Sequence, residues 1–177
     1  GKLTVNLLPG GGATGEQAKC DISPSTITVV GSEEELEGLT EISLGSIDLS
    51  QVVDTATISK PIVLSPTLEN ADGVTEAQVT VVVEGLSTKT FTVTNIETVN
   101  QPDNYQVDVV TQERVVVIRG SESVLESLDA SQIRIVADLS DVTATGTYPV
   151  AATVYLNASD EVGPVGTYTI NVNVRKR

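Results

Sequence analysis

Histidine, tryptophan and methionine are absent from this chain of 177 residues, which also holds a single cysteine and a single phenylalanine. Without histidine the commonest general base and the commonest metal ligand are missing, and every Ser-His-Asp or Cys-His arrangement is excluded. The lone Cys20 cannot close an internal disulfide, and zinc or iron–sulfur sites built from cysteine clusters are ruled out. With no histidine partner, Cys20 reads as a small buried or half-buried side chain rather than a nucleophile. Aromatic residues make up 3% of the chain, too few to line a sugar-binding cleft between paired carboxylates. Basic residues are scarce as well, 10 against 24 acidic, for a net charge of -14. That balance repels a phosphate backbone, so nucleic acid is disfavoured as a partner. An anionic membrane surface is repelled too, except at the short terminal run Arg175-Lys176-Arg177, which reads as a solvated end. No apolar run approaches the roughly 20 residues that cross a bilayer, and no signal-peptide pattern is present.

What the chain does have is one passage written twice. VVGSEEELEGLTEISLGSIDLS begins at Val29, and VIRGSESVLESLDASQIRIVADLS begins at Val117. Gly31-Ser32-Glu33 matches Gly120-Ser121-Glu122, Leu36 and Leu39 match Leu125 and Leu128, and Asp48-Leu49-Ser50 matches Asp138-Leu139-Ser140. A repeat of this length is the size of a small domain, not of a solenoid unit. Lys2-Leu3-Thr4-Val5 can be set against Lys89-Thr90-Phe91-Thr92-Val93, and Gln78-Val79-Thr80-Val81-Val82-Val83 against Thr167-Tyr168-Thr169-Ile170-Asn171-Val172. The expected organisation is therefore two tandem copies, residues 1–87 and 88–177. They carry different charge: 3 basic and 13 acidic residues in the first, for -10, and 7 and 11 in the second, for -4. Two whole units behind a start at Gly1 lead us to expect a piece of a longer protein.

Valine and threonine are abundant, which favours strands. The predicted strands include Val79-Thr80-Val81-Val82-Val83, Phe91-Thr92-Val93-Thr94-Asn95-Ile96, Gln106-Val107-Asp108-Val109-Val110, Arg114-Val115-Val116-Val117-Ile118, Ile133-Arg134-Ile135-Val136-Ala137 and Val150-Ala151-Ala152-Thr153-Val154-Tyr155-Leu156. In the last predicted strand Tyr168, Ile170, Val172 and Val174 alternate with Thr169, Asn171 and Asn173, the mark of one buried and one wet face. Short helices are expected after each Gly-Ser pair. Ser32 and Glu35 form a capping-box pattern, whereas Ser121 lacks the reciprocal residue because Val124 stands there. Turns are expected at Pro9-Gly10-Gly11-Gly12, Asn70-Ala71-Asp72-Gly73, Gln101-Pro102-Asp103-Asn104 and Val162-Gly163-Pro164, with the glycine-rich stretch from Pro9 to Gly15 the most flexible. Glu84-Gly85-Leu86-Ser87-Thr88-Lys89 reads as a short linker between copies.

Several groups imitate sites. Gly10-Gly11-Gly12 lacks the Lys-Ser/Thr of a phosphate loop. Glu69, Asp72, Gly73 and Glu76 do not have the spacing of a calcium loop. Glu33, Glu34, Glu35 and Glu37 dress a helix start, with weak attraction for a metal or a basic partner as the minor alternative. Asn157-Ala158-Ser159 is a formal glycosylation sequon. Asp48 and Asp138, at strand ends, can each accept the backbone N–H two residues on and form a turn. No catalytic, metal-binding or cofactor-binding residue is assigned.

The doubled order of strand, Val/Ile-x-Gly-Ser, x-x-x-Leu-x-x-Leu, and strand ending Asp-Leu-Ser resembles the YbbR repeat, and the resemblance covers nearly the whole chain. Pro24, ahead of Thr26-Ile27-Thr28-Val29-Val30, fits the pattern in the first copy, where the second has Thr111-Gln112-Glu113. Gly146-Thr147-Tyr148 fits it in the second copy and has no counterpart in the first. The resemblance implies a mainly β fold with short helices. It implies two tandem, small, elongated domains, each a mixed β-sheet unit similar to the C-terminal domain of a ribosomal protein of the L-twenty-five type. It also implies a non-enzymatic protein-interaction module on the extracytoplasmic face of a Firmicutes membrane. Such a module would belong to a membrane-anchored regulator of diadenylate cyclase, the enzyme of cyclic di-AMP synthesis. The family offers no catalytic residues to carry over. A structural spacer or adhesin-like stalk fits tandem β domains equally well, and a carboxylate-based hydrolase would need a deep pocket lined by close acidic pairs. For a binding module, exposed sheet edges are the first place to look for an interface, and the Pro9-to-Gly15 loop the second.

Overall fold

In a computed structural model of the protein, residues 1–157 and 161–177 are described. The backbone separates into two compact units, Gly1–Gly85 and Leu86–Arg177. Among the described residues the chain is mainly β with two short α-helices, as its composition predicts.

The first unit runs β1 (Lys2–Leu8), β2 (Ala18–Ser23), β3 (Val29–Val30), α1 (Glu33–Glu37), β4 (Glu41–Asp48), β5 (Thr55–Pro61), β6 (Glu69–Asn70) and β7 (Glu76–Val83). Strand β7 lies between β2 and β5, antiparallel to both. It alternates Ala77, Val79, Val81 and Val83 into the core, as a half-buried strand must. Strands β1 and β4 pair in parallel, and β3 pairs antiparallel with β6.

The second unit runs β8 (Ser87–Val93), β9 (Ile96–Val99), β10 (Tyr105–Val109), β11 (Arg114–Gly120), α2 (Glu122–Ser127), β12 (Ile133–Asp138), β13 (Gly146–Leu156), β14 (Val162–Val165) and β15 (Tyr168–Lys176). Its larger sheet has the order β10-β15-β13-β12-β9, and its smaller sheet β14-β11-β8. The larger sheet is mixed because β9 pairs in parallel with β12 while its other neighbours run antiparallel. The alternation expected in β15 is present: Tyr168, Ile170, Val172 and Val174 are buried and the residues between them exposed. The buried Tyr168 hydroxyl donates to the Val165 carbonyl at 2.6 Å and accepts the Val117 N–H at 2.9 Å, so its polar atom is satisfied.

Three expectations change. The run from Phe91 to Ile96 is two strands, because the chain leaves the smaller sheet at Val93 and enters the larger one at Ile96. Val162-Gly163-Pro164 is not a turn but the edge strand β14, with Pro164 opposite Ile118; an edge position needs no N–H on its outer side. The stretch after Pro9 is a closed hairpin rather than the loosest loop. Gly10 and Ala13 exchange N–H···O bonds of 3.0 Å, Gly11 and Gly12 have φ of 58° and 73°, and Ala13 is buried. Two left-handed central residues make the type I′ turn that only glycine accepts freely.

Candidate functional site: sheet edges and acidic clusters

The repeated segment is structural in both units. Ser32 Oγ accepts the Glu35 N–H at 3.3 Å and caps α1, but the box is half formed, since only this arm of it is made. Ser121 makes no side-chain cap bond. Complete capping boxes stand elsewhere, between Thr14 and Gln17 and between Asp129 and Gln132, each closing a short 3-10 turn. Both follow the Ser/Thr/Asp-x-x-Gln spacing and were legible in the sequence. Asp48 Oδ1 accepts the Ser50 N–H at 2.9 Å and the Ser50 hydroxyl at 2.8 Å. Asp138 Oδ1 accepts the Ser140 N–H at 2.9 Å and the Asn100 side-chain amide at 3.2 Å. The expected strand-end turn is thus made twice.

The residues that imitate sites are spread apart. Glu33, Glu34, Glu35 and Glu37 are exposed on α1. Asp72 Oδ2 accepts the Thr28 N–H at 2.7 Å and ties the turn after β6 to the start of β3, and Glu76 accepts the Ser59 hydroxyl at 2.9 Å. Among the described residues no group of three acidic or cysteine side chains is placed to hold a metal ion. Cys20 is exposed, contrary to expectation, because β2 is an edge strand of its sheet. Partial burial, followed by the neighbouring Asp21 charge, raises its thiol pKa and keeps it in the unreactive protonated form. Of the sequon, Ala158 and Ser159 lie outside the described residues.

Two depressions mark the second unit. One, of about 310 Å³, is bordered by Asn95, Gln132, Arg134, Tyr155 and Asn157. There Arg134 pairs with Glu97 at 3.3 Å and lies 4.9 Å from the Tyr155 ring centre. The other, of about 260 Å³, has Asp138, Asp141 and Tyr148 on its rim. The Ser140 backbone N–H, then the Ser140 hydroxyl and the Asn100 amide, hold Asp138 below the ordinary carboxylate range. A general base at neutral pH needs the opposite displacement.

Exposed large apolar side chains occur on both units: Leu8, Val30, Leu36, Val53 and Val63 on the first, and Val99, Val110, Val115 and Tyr155 on the second. The two helices differ most. Leu125 and Leu128 of the second unit are 3% and 6% exposed, whereas Leu36 is 36% exposed and α1 buries no residue. The difference follows from β8. In the second unit β8 runs antiparallel along β11, from Val93 opposite Arg114 to Ser87 opposite Gly120, and α2 packs on it. In the first unit the matching pairing is short. Gly1 and Ile27 exchange hydrogen bonds of 2.9 and 3.1 Å and the Leu3 N–H donates to Ser25 at 3.0 Å. Lys2, opposite Thr26, therefore occupies the position of Thr92, opposite Val115, and not that of Lys89. No helix among the described residues is long and apolar enough to cross a membrane.

The sequence profile of the family described as YbbR-like protein matches residues 91–174. Two crystal structures resemble the chain. A YbbR-like domain from Listeria monocytogenes is 22% identical, with a TM-score of 0.41, over 51% of this chain and 95% of the other. A YbbR-like protein from Streptococcus pneumoniae is 15% identical, with a TM-score of 0.35, over 99% of this chain and 92% of the other. No curated protein matches the chain.

Proposed function

We propose, from the membership of residues 91–174 in the YbbR-like family, that this chain is a non-enzymatic protein-interaction module. In this reading both units are YbbR-like repeats, and they form the extracytoplasmic part of a membrane-anchored regulator of diadenylate cyclase. The family is a non-catalytic β domain and not a known enzyme family. The observation that carries the reading is the family match on the second unit, together with the same Gly-Ser and Asp-Leu-Ser segments repeated in the first. The polar groups of those segments are committed to caps and turns, as at Asp48 and Asp138, which supports binding through surfaces rather than chemistry at a centre. Partner binding by strand addition needs open sheet edges, and β2, β9, β10 and β14 each have one.

The test is co-purification. A membrane diadenylate cyclase expressed with the parent protein should be recovered with it, and recovery should fall when residues 1–177 are deleted. Equal recovery with and without these residues would remove the reading for this region.

A further inference from the structure

We infer that the depression at one end of the larger sheet of the second unit binds a carboxylate side chain of a partner protein, through Arg134. Three stretches of chain meet there: Asn95 just ahead of β9, Ser131 in the short 3-10 turn ahead of β12, and Asn157 just past β13. Main-chain bonds fix their spacing. The Ile135 N–H donates to the Asn95 carbonyl at 2.9 Å, and the Asn157 N–H donates to the Gln132 carbonyl at 3.0 Å. Ser131 is held in turn, its N–H donating to Asp129 Oδ1 at 3.2 Å. Asn95, Ser131 and Asn157 are all exposed, and each side chain can donate a hydrogen bond. At about 310 Å³ the depression is at the small end of ligand sites, a size that suits one side chain.

The side chains there suit an anion. Among the described residues on its border Arg134 carries the only charge. Arg134 stands opposite Tyr155 across the ladder of β12 and β13, and its guanidinium lies 4.9 Å from that ring centre. Such stacking holds the planar fork in place and takes up a ring face that a sugar would otherwise use. One nitrogen, Nη1, meets Glu97 at 3.3 Å, with both side chains about half exposed. A single contact between exposed groups is worth under about 1 kcal/mol. The guanidinium keeps further N–H donors, and an incoming carboxylate can make the stronger bidentate pair with them. Asn95, Ser131 and Asn157 add uncharged donors at the same place. The net charge of -14 does not prevent this, because exposed charges more than about 8 Å apart are largely screened at physiological salt. The first unit contains no arginine, so the site belongs to the second unit alone.

That the carboxylate comes from a protein rests on the interaction-module reading, but the test needs no cyclase, so either can fail alone. The probe is the blocked peptide acetyl-Gly-Ser-Glu-Ser-Gly-amide, whose only charge is the glutamate side chain, titrated into the whole chain and followed by amide NMR. Saturable shifts are expected at Asn95, Arg134 and Asn157, and none in the first unit. Exchanging the peptide glutamate for glutamine should weaken binding about tenfold, and Arg134→Gln in the protein should do the same, the range of a lost hydrogen bond to a charged group. Glu97→Gln removes the internal competitor for the guanidinium and should tighten binding about twofold. Chitotetraose, a neutral sugar, should give no saturable shifts at these residues. No saturable shifts with the acidic peptide, equal binding of the glutamine peptide, or unchanged binding by Arg134→Gln would each overturn the inference. So would the lack of any tightening by Glu97→Gln, or saturable binding of chitotetraose at the same residues.

Discussion

The Asp138 carboxylate receives the Ser140 backbone N–H at 2.9 Å at the end of β12, and Asp48 holds Ser50 in the same way and at the same distance at the end of β4. The bond to the Ser140 backbone, then those to the Ser140 and Asn100 side chains, keep Asp138 below its ordinary pKa of 3.8. A group whose folded pKa is lowered stabilises the fold above its unfolded pKa and loses that contribution as pH falls through the folded one. Asp138→Asn should therefore flatten the acid limb of the second unit's stability, with the two proteins converging once the pH has fallen through the lowered pKa of Asp138. Urea midpoints at a series of pH values, read from second-unit amide signals, measure this. A wild-type acid limb in the variant would show that the bond contributes nothing.

The glycine of each Gly-Ser pair is there for space. A Cβ on Gly120 would strike the Val162 side chain and come within 2.8 Å of the Glu161 carbonyl oxygen, which is backbone. A Cβ on Gly31 meets the end of the flexible Leu68 side chain at 2.5 Å. Gly120→Ala should cost about 1–3 kcal/mol, the range of overpacked sites, and Gly31→Ala distinctly less. Chemical denaturation of the two variants compares them, and equal losses would contradict this account of the site.

Leu36 and Leu125 stand at the same place in the repeat with different cover. Leu125→Ala should cost about 2–5 kcal/mol, as buried leucines do. Leu36→Ala should cost under about 1 kcal/mol, in the range of exposed positions. Denaturation midpoints decide between this asymmetry and equal roles.

Cys20 is exposed but its thiol is held protonated by partial burial and by Asp21. Iodoacetamide should modify it in the folded protein, several-fold more slowly than free cysteine near neutral pH. Asp21→Asn removes the smaller of the two causes and should raise the rate modestly. Mass spectrometry follows both. No modification until the protein unfolds would show that the side chain is covered.

The sequence carried much of this fold because its signals are local. The alternation of Tyr168, Ile170, Val172 and Val174 is a face of one strand, and Asp-x-Ser at a strand end is a turn within three residues. What it did not carry depends on contacts between distant segments. Pro164 looks like a turn residue until β11 is seen to need an edge partner whose outer side requires no N–H. Gly10-Gly11-Gly12 looks loose until Gly10 and Ala13 are seen to close it. The burial of Leu125 has no local sign, since it comes from packing of α2 against β8, far off in the sequence. The two 3-10 capping boxes were readable from spacing, but they fall outside apolar periodic segments, where helix starts are sought.

The most direct measurement of the central claim is the cyclic di-AMP content of cells that carry the membrane cyclase together with the parent protein, intact or lacking residues 1–177. The interaction-module account predicts that deletion changes the cyclic di-AMP level while the amount of cyclase stays constant. The same level in both strains, at equal cyclase and equal parent protein, would contradict it.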